Sequence, residues 1–321
     1  LSPGLYTKEN IMKLSSFMLS LLLLFLVSAP LLPAGAEWAP SWTTPTEDRP
    51  ALDVPYVPTP PEVVQAMLTA AHVNSRDILY DLGCGDGRIV VAAAKERKVK
   101  RAVGIDLDPE RIRESNENAR QAGVSERVTF HQKDLFDMDF REATVVSMYL
   151  LPSVNLKLRP RLLRELAPGT RIVSHDFDMG DWEADRIIAV GTHTVYFWVV
   201  PANMSGTWKW SLTDGNETRQ YELRLRQKYQ NVDKAELAVD GAEQEMSAVA
   251  ISGDKLEFTT EGAMNGRKHQ LRFSGKIQNN SIRGSISASA KGPGRKQWTA
   301  EREDPSTKSL IDLPAEKMIQ L

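Results

Sequence analysis

The chain has 321 residues, which is more than one average domain and predicts two. Hydrophobic residues make up 41% and charged residues 26% of it, so neither general disorder nor a fibrous repeat is expected. The net charge of -2 provides no positive field for nucleic acid and argues against a general nucleic-acid-binding protein. One cysteine, and five histidines without metal-ligand spacing, predict neither a disulfide framework nor a metal site.

Residues 1–36 are expected to form upstream sequence and a leader. Met12-Lys13 is followed by an apolar run from Leu14 to Leu32, and Ala34-Gly35-Ala36 has the small-residue spacing of a signal-peptidase site. Residues 1–11 then precede the translation start. The run is nearly long enough to span a membrane, so an uncleaved anchor is the alternative. We therefore expect an exported, periplasmic protein or a membrane-anchored one, although the small-molecule ligand inferred below is expected in the cytoplasm.

Two further segments are expected to lie outside the folded domains. Residues 37–58 are rich in proline, threonine and aspartate and have no periodic apolar face, which is typical of an extended linker. Residues 304–321 are polar and predict a loose tail.

Between residues 59 and 201, apolar strands alternate with amphipathic helices. The first helix is expected to begin at a capping box, Thr59-Pro60-Pro61-Glu62. Strands are expected at 77–81, 101–106, 127–131, 143–150 and 171–175, helices from 89, 109 and 156, and a closing hairpin at 186–190 and 194–200. Helices between strands imply parallel pairing with helices on both faces. This part predicts a doubly wound, seven-stranded α/β sheet.

After Pro201 the hydrophobic period changes from about 3.6 to 2. Short strands are expected near 206–213, 219–228, 244–251, 255–260, 268–275, 281–288 and 296–302, with turns at Asp214-Gly215, Asp240-Gly241, Gly253-Asp254 and Asn279-Asn280. Residues 202–303 therefore predict a small antiparallel β barrel or sandwich. Its basic side chains are expected either to be a solvated face or to recruit an acceptor: Arg224, Arg226, Arg267, Lys268, Arg272 and Lys276.

A glycine-dense turn after the first strand carries the strongest functional signal. The strand ends at Asp81 and runs through Gly83, Gly85 and Gly87 into a helix N-terminus, where a ligand can approach bare backbone. The G-x-G-x-G spacing is one residue tighter than the dinucleotide fingerprint, and no P-loop spacing occurs. A carboxylate two residues before the first glycine would repel pyrophosphate but suits a ligand with an amino group or a sulfonium.

Two more acids follow the next two strands. Asp106 ends the second strand about 20 residues beyond the glycines, where a carboxylate can hold two ribose hydroxyls. Asp134 follows the third strand beside the same crevice. A lone acid after a strand usually caps a helix, whereas three acids and the glycine turn in this order form a joint signal.

Together these residues resemble the class I S-adenosylmethionine (SAM)-dependent methyltransferases, over roughly residues 59–200. The resemblance implies a Rossmann-like sheet, SAM as cofactor, a methionine-side loop after Asp81, a ribose acid at Asp106, and adenine contacts at Asp134. Cys84 within the loop is interpreted as packing rather than as a nucleophile. The residues expected at the cofactor are Tyr56, Thr59, Asp81, Gly83, Gly85, Gly87, Asp106, Leu107, Asp134 and Leu135.

A narrower resemblance begins upstream of the first helix. Residues 55–60, Pro-Tyr-Val-Pro-Thr-Pro, and residues 81–89, D-L-G-C-G-D-G-R-I, are similar to the protein-lysine methyltransferases that act on the ATP synthase c-subunit and the adenine nucleotide translocase. This implies methyl transfer to a protein lysine. Those enzymes also carry a hydrophobic N-terminal segment, whereas this chain adds a cleavable-looking leader and a β domain.

The acceptor side is expected at the ends of the fourth and fifth strands. Tyr149 is the candidate for shaping the acceptor pocket, with simple packing as the alternative. His175 is the candidate general base, with a structural histidine as the alternative. Three functions stay open at this point: a protein-lysine methyltransferase, a methyltransferase for a small molecule or lipid, and a non-catalytic module that displays the β domain. The expected partner is a protein or small molecule, in a membrane or free, without nucleic acid or metal.

Overall fold

A computed structural model describes residues 56–264, 266–288 and 295–303. The predicted leader, the linker up to residue 55 and the predicted tail lie outside these residues. Within the described ranges, no helix combines the length and apolar character that crossing a membrane requires.

Residues 61–199 form a seven-stranded sheet with helices packed against it. The helices are α1 (Pro61–Ala70), α2 (Arg88–Glu96), α3 (Pro109–Gln121) and α4 (Pro152–Glu165), with a short 3₁₀ helix at Leu135–Asp137. The strands are β1 (Ile78–Leu82), β2 (Arg101–Asp106), β3 (Val128–Gln132), β4 (Val145–Met148), β5 (Arg171–His175), β6 (Arg186–Val190) and β7 (His193–Val199).

The strand order of this sheet is β3-β2-β1-β4-β5-β7-β6. The first five strands are parallel, and β7 runs antiparallel to both β5 and β6. The predicted strand count and closing hairpin are therefore confirmed. Because the chain order reverses between β1 and β4, the carboxyl ends of these strands flank a crevice where open α/β sheets bind ligands.

Alternating side chains bury the sheet on both faces. Leu79 and Val145 pack in a core with α1, α2 and α3, whereas Tyr80 and Val146 pack in a core with α4. Each neighbouring pair along a strand thus points to opposite faces, as the period of two requires. This two-sided burial fixes the strand ends that form the site.

The start of α1 differs from the prediction. Pro60, not Thr59, is the N-cap residue, and no side chain caps this helix end. The Thr59 hydroxyl lies 3.2 Å from Nδ1 of the buried His175 instead. A buried imidazole nitrogen without a partner is costly, so this contact takes the hydroxyl that a capping box would use. The capping box was wrong, although Pro61 does occupy the first turn.

Residues 206–302 form a second sheet, entirely antiparallel. Its strands are β8 (Gly206–Asp214), β9 (Glu217–Lys228), β10 (Asn231–Val239), β11 (Ala242–Gln244), β12 (Met246–Ser252), β13 (Lys255–Met264), β14 (Arg267–Gln278), β15 (Ser281–Ala288) and β16 (Lys296–Arg302). Their order is β11-β10-β9-β8-β16-β15-β14-β13-β12, and β10 contacts β12 near the two ends of that order. The sheet is nearly closed and barrel-like, with nine strands in the described residues where seven were predicted.

The two sheets touch through the segment after β5 and the turn between β9 and β10. The Trp182 indole N–H donates to Oε1 of Gln230 at 2.8 Å, and the rings of Trp182 and Tyr229 stack at 5.8 Å. Lys228 pairs with Asp181 at 2.9 Å. Tyr229 is buried in the core of the first sheet. The predicted domain boundary at residue 201 stays a prediction, and these are the contacts that a cut there would remove.

Candidate active site

A cavity of about 250 Å³ lies at the carboxyl ends of β1, β2, β3 and β4. Nine of the ten residues predicted at the cofactor line it: Tyr56, Thr59, Asp81, Gly83, Gly85, Asp106, Leu107, Asp134 and Leu135. Gly87 does not line it. A Cβ on Gly87 would point away from it into the side chains of Phe130 and Ser115. Gly87 therefore serves the packing of α2 rather than the cavity wall.

The glycine loop requires residues without side chains. Gly83 and Gly85 have φ angles of +76° and +53°, in the region that favours glycine. A Cβ on Gly85 would lie 2.6 Å from the Tyr56 ring. The N–H groups of Gly83 and the buried Cys84 both donate to the Ile105 carbonyl at 2.9 Å, which ties the loop to the end of β2.

Asp81 is a buried carboxyl at the end of β1. Its exposed fraction is 2%, and the Ser147 hydroxyl donates to its Oδ1 at 2.7 Å. Burial raises the pKa of Asp81 to about 7, with smaller contributions from the charges of Asp106 and Asp86 and an opposing one from the Ser147 bond. A ligand cation beside this carboxyl would offset its desolvation, as the ammonium of a methionine moiety would.

Asp106 and Asp134 are held in place by backbone N–H groups. Asp106 accepts from Gly85 at 2.8 Å and from Asp108 at 3.0 Å, one bond to each carboxylate oxygen. Asp134 accepts from Phe136 at 2.8 Å and caps the 3₁₀ helix. A carboxylate has about four acceptor sites, so each retains capacity for hydroxyl or amino donors in the cavity. Three fixed acids, bare loop backbone and largely apolar walls fit SAM.

Two arginines hold the segment ahead of α1 over the glycine loop. Arg88 donates from Nη1 to the Thr59 carbonyl at 2.9 Å and from Nη2 to Asp86 at 2.6 Å. The Arg111 guanidinium lies 4.6 Å from the centre of the Tyr56 ring. Sequence reasoning missed both arginines. Arg88 could have been predicted from its position directly after the glycine loop, because its side chain can reach back from there to Asp86.

Tyr149 lines the cavity as predicted for an acceptor-side residue. Its ring centre lies 3.8 Å from that of His175 and 6.0 Å from that of Phe177, which also lines the cavity. Burial raises the pKa of Tyr149, and the charge of Asp176 adds to this effect, so the phenol stays neutral at physiological pH. Tyr149 and Phe177 thus form an aromatic cluster in the cavity wall.

His175 is fully buried and lies behind this wall rather than in it. Its Nδ1 contacts the Thr59 hydroxyl, and its Nε2 lies 3.0 Å from Nδ1 of His193. Burial lowers the pKa of His175, and the neighbouring His193 lowers it further, while Asp176 opposes the shift. A general base must contact the acceptor directly, and His175 does not reach the cavity to do so.

Sequence reasoning missed His193 and Asp176. Asp176 directly follows His175 in the chain. His193 lies next to His175 because β7 returns antiparallel to β5, and spacing along the chain carries no trace of that pairing. The prediction that the chain binds no metal was made from histidine spacing, and it stays a prediction.

The comparisons with known proteins agree with this geometry. The protein-family model named ANTKMT methyltransferase domain matches residues 81–186. A protein-lysine N-methyltransferase from Saccharolobus islandicus (strain REY15A) is 50% identical over 151 residues, covering 46% of this chain and 94% of that protein. The chain belongs to this methyltransferase family. It is a SAM-dependent methyltransferase, as its motifs implied.

Two further proteins are each similar to just under half of this chain. The mouse adenine nucleotide translocase lysine N-methyltransferase is 35% identical over 155 residues, covering 48% of this chain and 66% of the mouse protein. A crystal structure of an RNA methyltransferase from Salinibacter ruber in complex with S-adenosyl-L-homocysteine is 53% identical, covering 46% of this chain and 96% of that one, with a TM-score of 0.45. Each similarity leaves more than half of this chain unmatched.

Proposed function

We propose that this methyltransferase transfers the methyl group of SAM to the side-chain nitrogen of a lysine in a protein acceptor. The observation that carries the proposal is 50% identity to a protein-lysine N-methyltransferase across 94% of that protein. The cavity supports it, because the aromatic side chains of Tyr149 and Phe177 line it together with the three cofactor acids.

The aromatic wall suits a lysine side chain. Tyr149 and Phe177 offer ring faces, which attract an ammonium group and line an apolar channel for its methylene stem. Removal of water lowers the pKa of lysine from its usual value of about 10.4. Bound SAM supplies an electrophilic methyl group on a positively charged sulfur. The protein's own residues hold the two reactants in line and exclude water.

Mass spectrometry of acceptors tests the proposal. The purified protein and SAM are incubated separately with a protein extract, total RNA and a lipid extract, and the products are searched for added methyl groups. The expected result is methylation of protein lysines, localised by fragmentation of peptides and absent when SAM is omitted. Methylation confined to RNA, to lipid or to another type of amino acid would contradict the proposal.

We further propose that residues 12–36 export the enzyme or anchor it at a membrane, and that its acceptor is met there. The support is the apolar run and small-residue site of the sequence. N-terminal sequencing of the mature protein from cell fractions tests it. A chain that keeps residues 12–36 and is found only in the soluble cytoplasmic fraction would contradict both placements.

A further inference from the structure

A chain of hydrogen-bonded side chains runs from the cavity wall to the protein surface. Thr59 lines the cavity, and its Oγ1 lies 3.2 Å from Nδ1 of His175. On the other side of that imidazole, Nε2 lies 3.2 Å from Oδ2 of Asp176 and 3.0 Å from Nδ1 of His193. The His175 side chain is 0% exposed, whereas those of Asp176 and His193 are 26% and 30% exposed. The chain therefore joins a buried hydroxyl to solvent.

Asp176 is held beside both imidazoles. Its Oδ1 accepts from the Thr194 N–H at 2.8 Å, and its Oδ2 lies 2.9 Å from Nδ1 of His193. Its φ angle of +58° is unusual for a residue with a side chain and indicates that the surrounding contacts hold it there. Nε2 of His175 can donate to Nδ1 of His193 at 3.0 Å, which keeps the proton on that nitrogen and leaves Nδ1 of His175 to accept from Thr59.

The charged and titratable groups that face His175 come from three elements. Asp176 follows β5, His193 begins β7, and the neutral phenol of Tyr149 follows β4 with its ring 3.8 Å away. Burial lowers the pKa of His175, so the imidazole is neutral at pH values near 7 and can accept a proton. The adjacent carboxylate then stabilises the imidazolium that forms.

We propose that Thr59, His175, Asp176 and His193 form the proton exit route of the acceptor amine. The inference rests on the proposed lysine substrate, because an ammonium group has no lone pair and must lose a proton before it can attack. The relay gives this proton a path to solvent beside Tyr149, while the carboxyl groups of the cavity are assigned to the cofactor.

Proton transfer begins at the acceptor ammonium and ends in solvent. The acceptor ammonium gives a proton to Oγ1 of Thr59 as that hydroxyl gives its own proton to Nδ1 of His175. The proton on Nε2 of His175 passes to Nδ1 of His193, where Asp176 stabilises the imidazolium, and the Nε2 proton of His193 leaves to solvent. Proton exchange with solvent along the same path returns both imidazoles to their starting tautomers before the next turnover. The neutral amine forms the new N–C bond with the methyl carbon, and the electron pair of the breaking S–C bond stays on sulfur. The product is a methylammonium group and a neutral thioether.

The test compares three histidine variants. His175→Gln and His193→Gln keep polar groups in the chain but cannot carry a proton, and His269→Gln in β14 is the matched control in the second sheet. Turnover of lysine methylation is measured across pH, and SAM affinity is measured by calorimetry. We expect turnover near neutral pH to fall about 100-fold in the first two variants. The loss should shrink as the pH approaches about 10, where lysine deprotonates unaided.

Threonine variants test the first link. Thr59→Val removes the hydroxyl and should reproduce the pH-dependent loss, whereas Thr59→Ser should restore turnover with unchanged SAM affinity. A loss by the same factor at every pH would show that these residues only support the structure and would overturn the relay. Activity that a chelator abolishes and Zn²⁺ restores would also overturn it, since a metal would occupy the nitrogens that must carry the proton.

The two proposals fail in different ways. If the wild type methylates no lysine, the proposed function fails and the relay with it. If the wild type methylates lysine and the His193→Gln and Thr59→Val variants match it at every pH, the relay alone is wrong.

Discussion

The Asp106 carboxylate is oriented by two backbone N–H groups before a ligand arrives, and the loop that donates one of them contains Gly85. An acid at the end of the second strand could be predicted from the sequence without knowledge of these bonds. The position of a strand end and the direction of its last side chain follow from local pattern. The partners of that side chain do not, and the bond from Gly85 to Asp106 was not foreseen.

Asp106→Ala is expected to weaken SAM binding about 100-fold, because it removes a charged acceptor worth about 1.5–3 kcal/mol. Gly85→Val is expected to abolish binding, since its side chain would meet the Tyr56 ring and adopt a strained φ. Calorimetry measures both affinities, with the exposed Asp139→Ala as the control. Unchanged SAM affinity in either folded variant would show that the cofactor site is assigned wrongly.

Asp81 gives a second prediction, on stability. Its pKa is raised to about 7 in the folded protein, against about 3.9 in an unfolded chain. Between these values the folded state binds more protons, so this group lowers the free energy of unfolding as the pH rises from about 4 to about 7. Asp81→Asn is neutral throughout. We expect it to raise the Tm relative to the wild type at about pH 8, with a smaller effect at about pH 5.

Thermal denaturation at the two pH values measures this difference, and the exposed Asp233→Asn serves as the control. The same variant should lose SAM affinity, because the ligand ammonium then has no carboxylate partner. A Tm difference that is equal at both pH values would contradict the raised pKa of Asp81.

At the scale of secondary structure elements, the segment ahead of α1 acts as a cover for the glycine loop. The Tyr56 ring lies over Gly85, and Arg111 lies over the ring. Tyr56→Ala is expected to accelerate cofactor dissociation about tenfold, because it removes this aromatic cover. Tyr56→Phe keeps the ring and should stay near the wild-type rate. Stopped-flow displacement of bound SAM measures both rates, and equal dissociation rates in the Ala and Phe variants would contradict a role for the ring.

Regular elements were predictable where one period persisted, and irregular ones were not. Strands β2, β5 and β6 have the predicted bounds, since short apolar runs there are bounded by polar residues or glycine. Strand β10 was missed because its register shifts between Val232 and Lys234, which breaks the alternation on which a period of two depends. Helix α4 begins at Pro152, earlier than expected, because proline suits the first turn and carries no apolar signal.

At the scale of the whole molecule, the second sheet contacts the segment that leads away from the acceptor wall. Phe177 lines the cavity, and a few residues later Asp181 and Trp182 meet Lys228, Tyr229 and Gln230. Three of the basic side chains considered for recruitment are paired with acids: Arg224 with Glu222, Arg272 with Glu257, and Lys276 with Asp254. This pairing favours a solvated face over a positive patch at those positions.

A chain that ends at Pro201 is expected to fold and bind SAM with a lower Tm, because Trp182 loses its ring and hydrogen-bond partners across the junction. For the protein acceptor, KM should rise while turnover at saturation is unchanged, as recruitment by the β domain requires. Steady-state kinetics and calorimetry of the shortened chain measure these quantities. Lost turnover with intact SAM binding would show that the β domain builds part of the active site. If the shortened chain is soluble only when the β domain is supplied, the two domains share a core and the predicted boundary at residue 201 is wrong.

The single cysteine of the chain lies inside the glycine loop, and this makes the loop observable by chemistry. Cys84 is buried, and burial raises the pKa of its thiol, so an alkylating reagent reaches it only when the loop opens. The rate of alkylation of the unmodified protein therefore measures the opening equilibrium at one defined point. Since a ligand that holds the loop closed slows that rate, the native sequence contains its own built-in sensor of cofactor occupancy, usable without a fluorophore or an engineered label.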